Sequence, residues 1–171
     1  MIRIPLLVLL VAGASAACAQ QPPAGCDGPE YHALDFWVGD WDLSYTQGGK
    51  TGTSRNHVTK ILDGCVVQEE FEGPPGTPMR GRSVSMYDRA SGRWKQAWVD
   101  SQGSYLDFTG GVEDGRMVFA REVERNGQHI RQRMVFDEVT PKSLTWRWQR
   151  STDAGATWST LWEIAYRRSG S

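Results

Sequence analysis

No excess of charge marks the 171-residue chain. There are 19 Lys and Arg against 20 Asp and Glu, with 3 His and a formal net charge of −1. Nucleic acids and anionic membranes are usually met by a clear basic excess, so neither is an expected partner. Cysteine is scarce, with 3 in all. None of them forms a Cys-x-x-Cys pair, which removes the zinc-ribbon and thioredoxin-like readings. His32, His57 and His129 lie far apart and no pair has metal-ligand spacing. They are read as exposed or hydrogen-bonded histidines rather than haem ligands, and no metal or cofactor is expected. No glycine-rich phosphate loop follows a strand to open a helix, which excludes the nucleotide folds. No Gly-x-Ser-x-Gly elbow occurs either, so no local signal argues for a catalytic triad. No segment holds a helical period over three turns.

What the chain does have is 8 Trp and 19 Gly, in a composition 39% hydrophobic and 23% charged. That suits a soluble globular chain, and the length suits one domain. The long apolar run is N-terminal. Met1–Ala19 carries one cation, Arg3, then an apolar stretch from Ile4 to Ala17. The stretch is too short to span a membrane comfortably and has the proportions of a secretory signal. Ala17-Cys18-Ala19 fits small-x-small cleavage, giving a mature start at Gln20. Ser15-Ala16-Ala17-Cys18 overlaps it as a match to the bacterial lipoprotein box, with Ser15 where Leu is usual. Export to the periplasm or medium is the first expectation, and a lipid anchor on Cys18 is the alternative. Residues 1–19 are then a signal peptide, 20–30 a flexible tether and 31–168 the domain. Cys26 and Cys65 remain as an even pair in an oxidising compartment and are expected to form a disulfide, worth roughly 3–4 kcal/mol in the chain-entropy model.

Turn signals count the strands. Asp63-Gly64, Asp114-Gly115, Asn126-Gly127 and Asp153-Ala154-Gly155 are among nine that separate segments rich in Val, Ile, Thr, Trp, Tyr and Phe. Ten strands are predicted, at about 39–46, 53–62, 65–72, 81–88, 93–99, 104–110, 116–124, 129–137, 143–150 and 157–168. A meander of that width leaves two edges unless it closes, so an all-β, up-and-down antiparallel barrel is expected. Alternation gives each strand two faces. Trp94, Gln96 and Trp98 share one, as do Leu144, Trp146 and Trp148, and Ile130, Gln132, Met134 and Phe136. Trp158, Thr160, Trp162, Ile164 and Tyr166 are expected to continue the pattern in the last strand.

Gly39-x-Trp41, at the head of the first strand, resembles the Gly-x-Trp signature of lipocalin and wider calycin barrels. The resemblance implies that Trp41 closes the barrel floor and that a basic residue near the end of the last strand, Arg167 or else Arg168, packs on it. A longer pattern adds to this: Leu34-Asp35-Phe36-Trp37-Val38-Gly39-Asp40-Trp41, Ile61-Leu62-Asp63-Gly64-Cys65, Trp94-x-Gln96-x-Trp98-Val99-Asp100, and Ser151-Thr152-Asp153-x-Gly155-x-Thr157-Trp158. Together these resemble an uncharacterised family of exported bacterial lipocalin-like barrels, a domain of unknown function. That resemblance implies the fold and no activity. The Ser151–Trp158 stretch also resembles the Asp-box turn of sialidases. A single copy in a chain too short for a six-bladed propeller is a structural turn, and the glycosidase reading is rejected.

Function rests on the polar residues of the apolar faces. Gln96 lies between two Trp, Gln132 between Ile130 and Met134, and Arg121 follows Met117 and Phe119 at period two. The expectation is a small apolar or amphipathic ligand in a Trp-lined cavity, bordered by Gln96, Trp98, Arg121, Gln132 and Trp148. Glu69 or Glu70 could pair with Arg121 or Arg133, depending on register. An inward Arg121 without an acidic partner would point to an anionic ligand. Two alternatives stand beside this: an envelope protein with the barrel packed shut, and a barrel-cavity isomerase or cyclase. The absence of a catalytic motif leans away from an enzyme.

Overall fold

A strand that alternates apolar and polar residues can bury only one face, and ten such strands can hide all their apolar faces by closing on themselves. The computed structural model describes residues 25–47, 50–73 and 77–170, and it has this closed form. The strands are β1 (Gly39–Gln47), β2 (Lys50–Ile61), β3 (Val66–Glu72), β4 (Arg80–Asp88), β5 (Arg93–Asp100), β6 (Tyr105–Glu113), β7 (Arg116–Arg125), β8 (Gln128–Asp137), β9 (Ser143–Ser151) and β10 (Ser159–Arg168). Each pairs antiparallel with its sequence neighbour, and β10 returns to β1 through Trp41↔Arg168 and Leu43↔Tyr166. The all-β, up-and-down barrel read from the sequence is the observed fold. Tight turns set it: Asp114-Gly115 and Asn126-Gly127 all take positive φ, as two-residue hairpins require. The expected signal peptide, Cys18 and Gln20 lie outside the described residues.

Two 3-10 turns, Pro29–His32 and Asp35–Trp37, precede β1 and plug one end of the barrel. Leu34, Trp37 and Trp41 are fully buried there. The Trp41 indole N–H donates to the Trp37 carbonyl at 2.7 Å, and the Arg168 guanidinium lies 3.9 Å from the centre of the Trp41 ring. Arg168 also donates to the carbonyls of Val38, Phe36 and Pro141, so a cation, an indole and three backbone acceptors lock the floor. The Gly-x-Trp spacing has a steric reason here. Gly39 sits at φ 133°, and a Cβ on it would come within 2.0 Å of Arg168 Nη1. Only glycine leaves that passage open.

The basic residue of the floor is Arg168, not Arg167. Strand parity decides it: Arg168 is opposite Trp41 on the inner face, whereas Arg167 is opposite Asp42 and exposed. Alternation in β10 also fails where the sequence expected it to continue. The strand begins at Ser159, and its register to β9 shifts between Thr160 and Trp162. That irregularity leaves Trp162 inside. It puts Trp158 before the strand, with the Arg133 guanidinium 4.0 Å above its ring.

Cys26 and Cys65 are bonded, which ties the chain before the first 3-10 turn to the β2–β3 connection. Residues 25–30, expected as tether, are held further by Arg89. It donates to the Gly25 carbonyl at 2.5 Å and to the Tyr31 hydroxyl. The Asp-box stretch is a structural turn. Asp153 accepts from Ser151 Oγ at 2.6 Å, from Thr157 Oγ1 at 2.5 Å and from the Thr157 amide at 2.9 Å. These bonds hold its carboxyl well below the usual carboxylate range.

Candidate functional site

Above the floor the side chains do not meet across the barrel. They leave a cavity of about 230 Å³, far more than the roughly 10–15 Å³ a single water needs. It runs from Trp37 and Phe136 near the plug to Met79, Asp100 and Leu106 at the other end. Its wall is a connected aromatic arc. Phe71 meets Trp98 and Trp162 edge-on, Trp162 meets Trp146, Trp146 stacks on Trp148, and Trp148 meets Phe108, with centroids 5.7–6.4 Å apart. Such edge and stacked geometries are favourable in themselves, so the wall is stiff. Trp98 pairs with Ser83, and its ring reaches over Gly81, two residues along β4, where a Cβ would lie 2.0 Å from it.

One stretch of the wall is polar and buried. β3 alternates Val67, Glu69 and Phe71 inward, and Glu69 is only 6% exposed. Its Oε1 accepts from Asn56 Nδ2 at 2.8 Å and its Oε2 from Ser83 Oγ at 2.7 Å. Gln96 Nε2 donates to Ser85 Oγ at 2.9 Å and, at 3.4 Å, to Ser83 Oγ. Asn56 Nδ2 also lies 3.3 Å from the Tyr166 hydroxyl. Among the described residues no cation is hydrogen-bonded to this group. Burial therefore dominates and raises the Glu69 pKa to about 7, against the lowering by Ser83, Asn56 and the outer Arg82. Burial and the nearby Glu69 push Tyr166 well above its ordinary range. Asn56 Oδ1 and Trp162 Nε1 are buried with no hydrogen-bond partner among the described residues.

Asp100, at the far end, is a second carboxylate on the cavity. Burial would raise it, but the amides of Ser104 and Gln102 and the Trp98 indole N–H outweigh that and lower its pKa.

Of the five side chains expected at a ligand, Gln96, Trp98 and Trp148 line this cavity together. Arg121 and Gln132 share the inner parity and pair across β7 and β8, yet neither borders it. The reason lies in the barrel wall. β6 and β7 pair only between Thr109↔Ala120 and Glu113↔Arg116. Beyond that point a separate outer hollow, with Asp107 and Glu122 on its rim, reaches Phe108 and Arg121. Phe108 borders both spaces, and the Arg121 guanidinium sits 5.7 Å from its ring, on the hollow's side. Arg121 Nε and Nη1 are buried without hydrogen-bond partners among the described residues. Neither Glu pairs with Arg121 or Arg133: Glu69 turns inward to Asn56 and Ser83, and Glu70 faces outward to Arg82 at 3.3 Å.

Sequence reasoning missed Glu69 as a site residue, and with it Asn56, Phe71, Trp162 and Tyr166. The available signal was parity, since Val67 and Phe71 flank Glu69 at period two. Val66 on the other face blurred that signal. Among the described residues there is no group of three His, Cys, Asp or Glu side chains placed to hold a metal. No helix among them is long and apolar enough to cross a membrane.

Residues 27–168 match the sequence model of a family described as "Protein of unknown function (DUF1579)", and the chain belongs to that family. The matched span begins just after Cys26 and ends with β10. No curated protein matches the chain.

Proposed function

We propose that this family member is a small-molecule-binding barrel, taking a largely apolar ligand into the aromatic cavity with the Asn56–Glu69–Ser83 group as its polar contact. The observation that carries the reading is a cavity of about 230 Å³ with aromatic walls and one buried carboxylate facing it. Concave, mostly apolar sites with a few convergent polar groups are the usual form of small-molecule sites. A barrel packed shut would not leave such a void. Export fits the same reading: an apolar N-terminus precedes the chain's disulfide, and disulfides persist outside the cytosol.

A titration of Trp fluorescence with neutral 2-phenylethanol tests binding. Saturable change is expected in the wild type, and Leu106→Trp, which fills the cavity, should weaken it by about tenfold or more. No saturable change in the wild type would overturn the proposal. Intact mass of the exported chain tests the address, with a start at Gln20 expected and a diacylglycerol on Cys18 as the contrary result.

A second reading is favoured by one observation. A carboxyl buried beside a cavity, with its pKa raised to about 7, is the type of group a proton-transferring isomerase uses. Turnover of a bound ligand, lost in Glu69→Gln while binding persists, would establish it.

A further inference from the structure

Among the described residues, the side chains lining the cavity include two carboxylates, Glu69 and Asp100, and no Lys, Arg or His. Arg121, a counter-charge expected from the sequence, borders the outer hollow instead, with Phe108 common to both spaces. We propose that the cavity selects a small organic cation, a primary amine on an aromatic or compact apolar body, with its ammonium group against Glu69. The inference rests on the binding reading above and names its ligand class.

Three features point the same way. Each Glu69 oxygen accepts one protein hydrogen bond, from Asn56 and from Ser83, and a carboxylate has about four acceptor positions. Acceptor capacity is left over, and an ammonium group has three donors to meet it. Second, the walls are indole and phenyl rings: Trp98, Phe71, Trp162, Trp146, Trp148 and Phe108. Aromatic faces attract cations, most of all when water is excluded. Third, a buried carboxylate without a positive partner is costly, and the one cation acting on Glu69, Arg82, lies on the outer face and pairs with Glu70 at 3.3 Å. An ammonium ligand brings the missing charge. A neutral ligand brings at most a hydrogen bond, and an anionic one adds repulsion.

The test compares three compounds of nearly one shape: 2-phenylethylamine, 2-phenylethanol and phenylacetate. Their affinities for the wild-type protein are measured by calorimetry at about pH 8, where Glu69 is mostly ionised. The amine should bind about tenfold or more tighter than the alcohol, and phenylacetate should be weakest. Glu69→Gln keeps the shape of the side chain and should weaken the amine about tenfold more than the alcohol, erasing the amine's advantage. The wild-type ranking needs no variant, so it stands even if Glu69→Gln folds poorly. Equal affinity for amine and alcohol overturns the amine inference and leaves the binding reading intact. Preferential binding of phenylacetate, lost in Arg121→Met, also overturns it and assigns an anionic ligand. No binding by any of the three overturns both.

Discussion

The two ends of the barrel are built from the same materials and reach opposite states. At the plugged end, the Trp41 N–H has the Trp37 carbonyl and Arg168 has the Trp41 ring and three carbonyls. Each of those polar groups has a partner supplied by the chain. In the cavity half, among the described residues, Glu69 has neutral donors and no cation bonded to it, Trp162 Nε1 has no hydrogen-bond partner, and the aromatic rings leave a void between them. Such pairing of Trp41 with Arg168 is what stability alone would produce, although the buried Trp37 Nε1 beside it has no hydrogen-bond partner among the described residues. An ionisable group beside an unfilled apolar space lowers stability, which is the usual signature of a site kept for a ligand.

The contrast can be broken from the floor upward. Trp41→Ala should have the largest effect, a loss of about 3–5 kcal/mol measured by chemical denaturation, because it empties a fully buried aromatic site. A loss below about 1 kcal/mol, the scale of an ordinary surface change, would remove Trp41 from the floor.

Next comes the pH dependence of stability, which belongs to the cavity. Glu69 is raised from 4.5 to about 7 in the folded chain. Between those values the folded state holds a proton that the unfolded state has released, so stability falls as pH rises through that window. The full difference is on the order of 3 kcal/mol. The lowered carboxyls of Asp35, Asp88, Asp100 and Asp153 act at more acidic pH, where their contribution is lost as pH falls. Melting temperatures of the wild type should therefore drop from about pH 5 to pH 8, and Glu69→Gln should flatten that slope. Equal slopes in the two proteins would show that Glu69 is solvated.

Smaller again is Gly39→Ala, expected to lose roughly 1–3 kcal/mol because the added methyl meets Arg168 and the backbone sits at positive φ. The smallest effect is Arg167→Met, within about 0.5 kcal/mol by denaturation, since that side chain faces solvent. Arg168→Met should cost clearly more, and the reverse order would reassign the floor cation.

The sequence carried the barrel almost entirely. Ten strands, their turns and the disulfide follow from Asp-Gly and Asn-Gly punctuation, period-two alternation and an even cysteine pair. It also carried the inward faces of β5, β8 and β9, and so Gln96, Trp98 and Trp148. It failed where alternation is interrupted or where three-dimensional placement decides. The irregularity between Thr160 and Trp162 shifted the parity of the last strand and displaced Trp158. The parting of β6 from β7 moved Arg121 to a different hollow, although its parity was inward. Glu69 and Glu70 are adjacent, so only the register of β3 against β2 and β4 separates the buried acid from the surface one. The local parity of Val67 and Phe71 favours Glu69, but Val66 on the other face blurs it.

The account turns on Glu69 as a buried carboxyl with no counter-cation, and its protonation can be read directly. Carbon-13 NMR of the Glu side-chain carboxyls, followed across the pH range in ligand-free protein, should show one signal titrating near 7 and absent in Glu69→Gln. A Glu69 midpoint at the ordinary value of 4.5 would contradict the account.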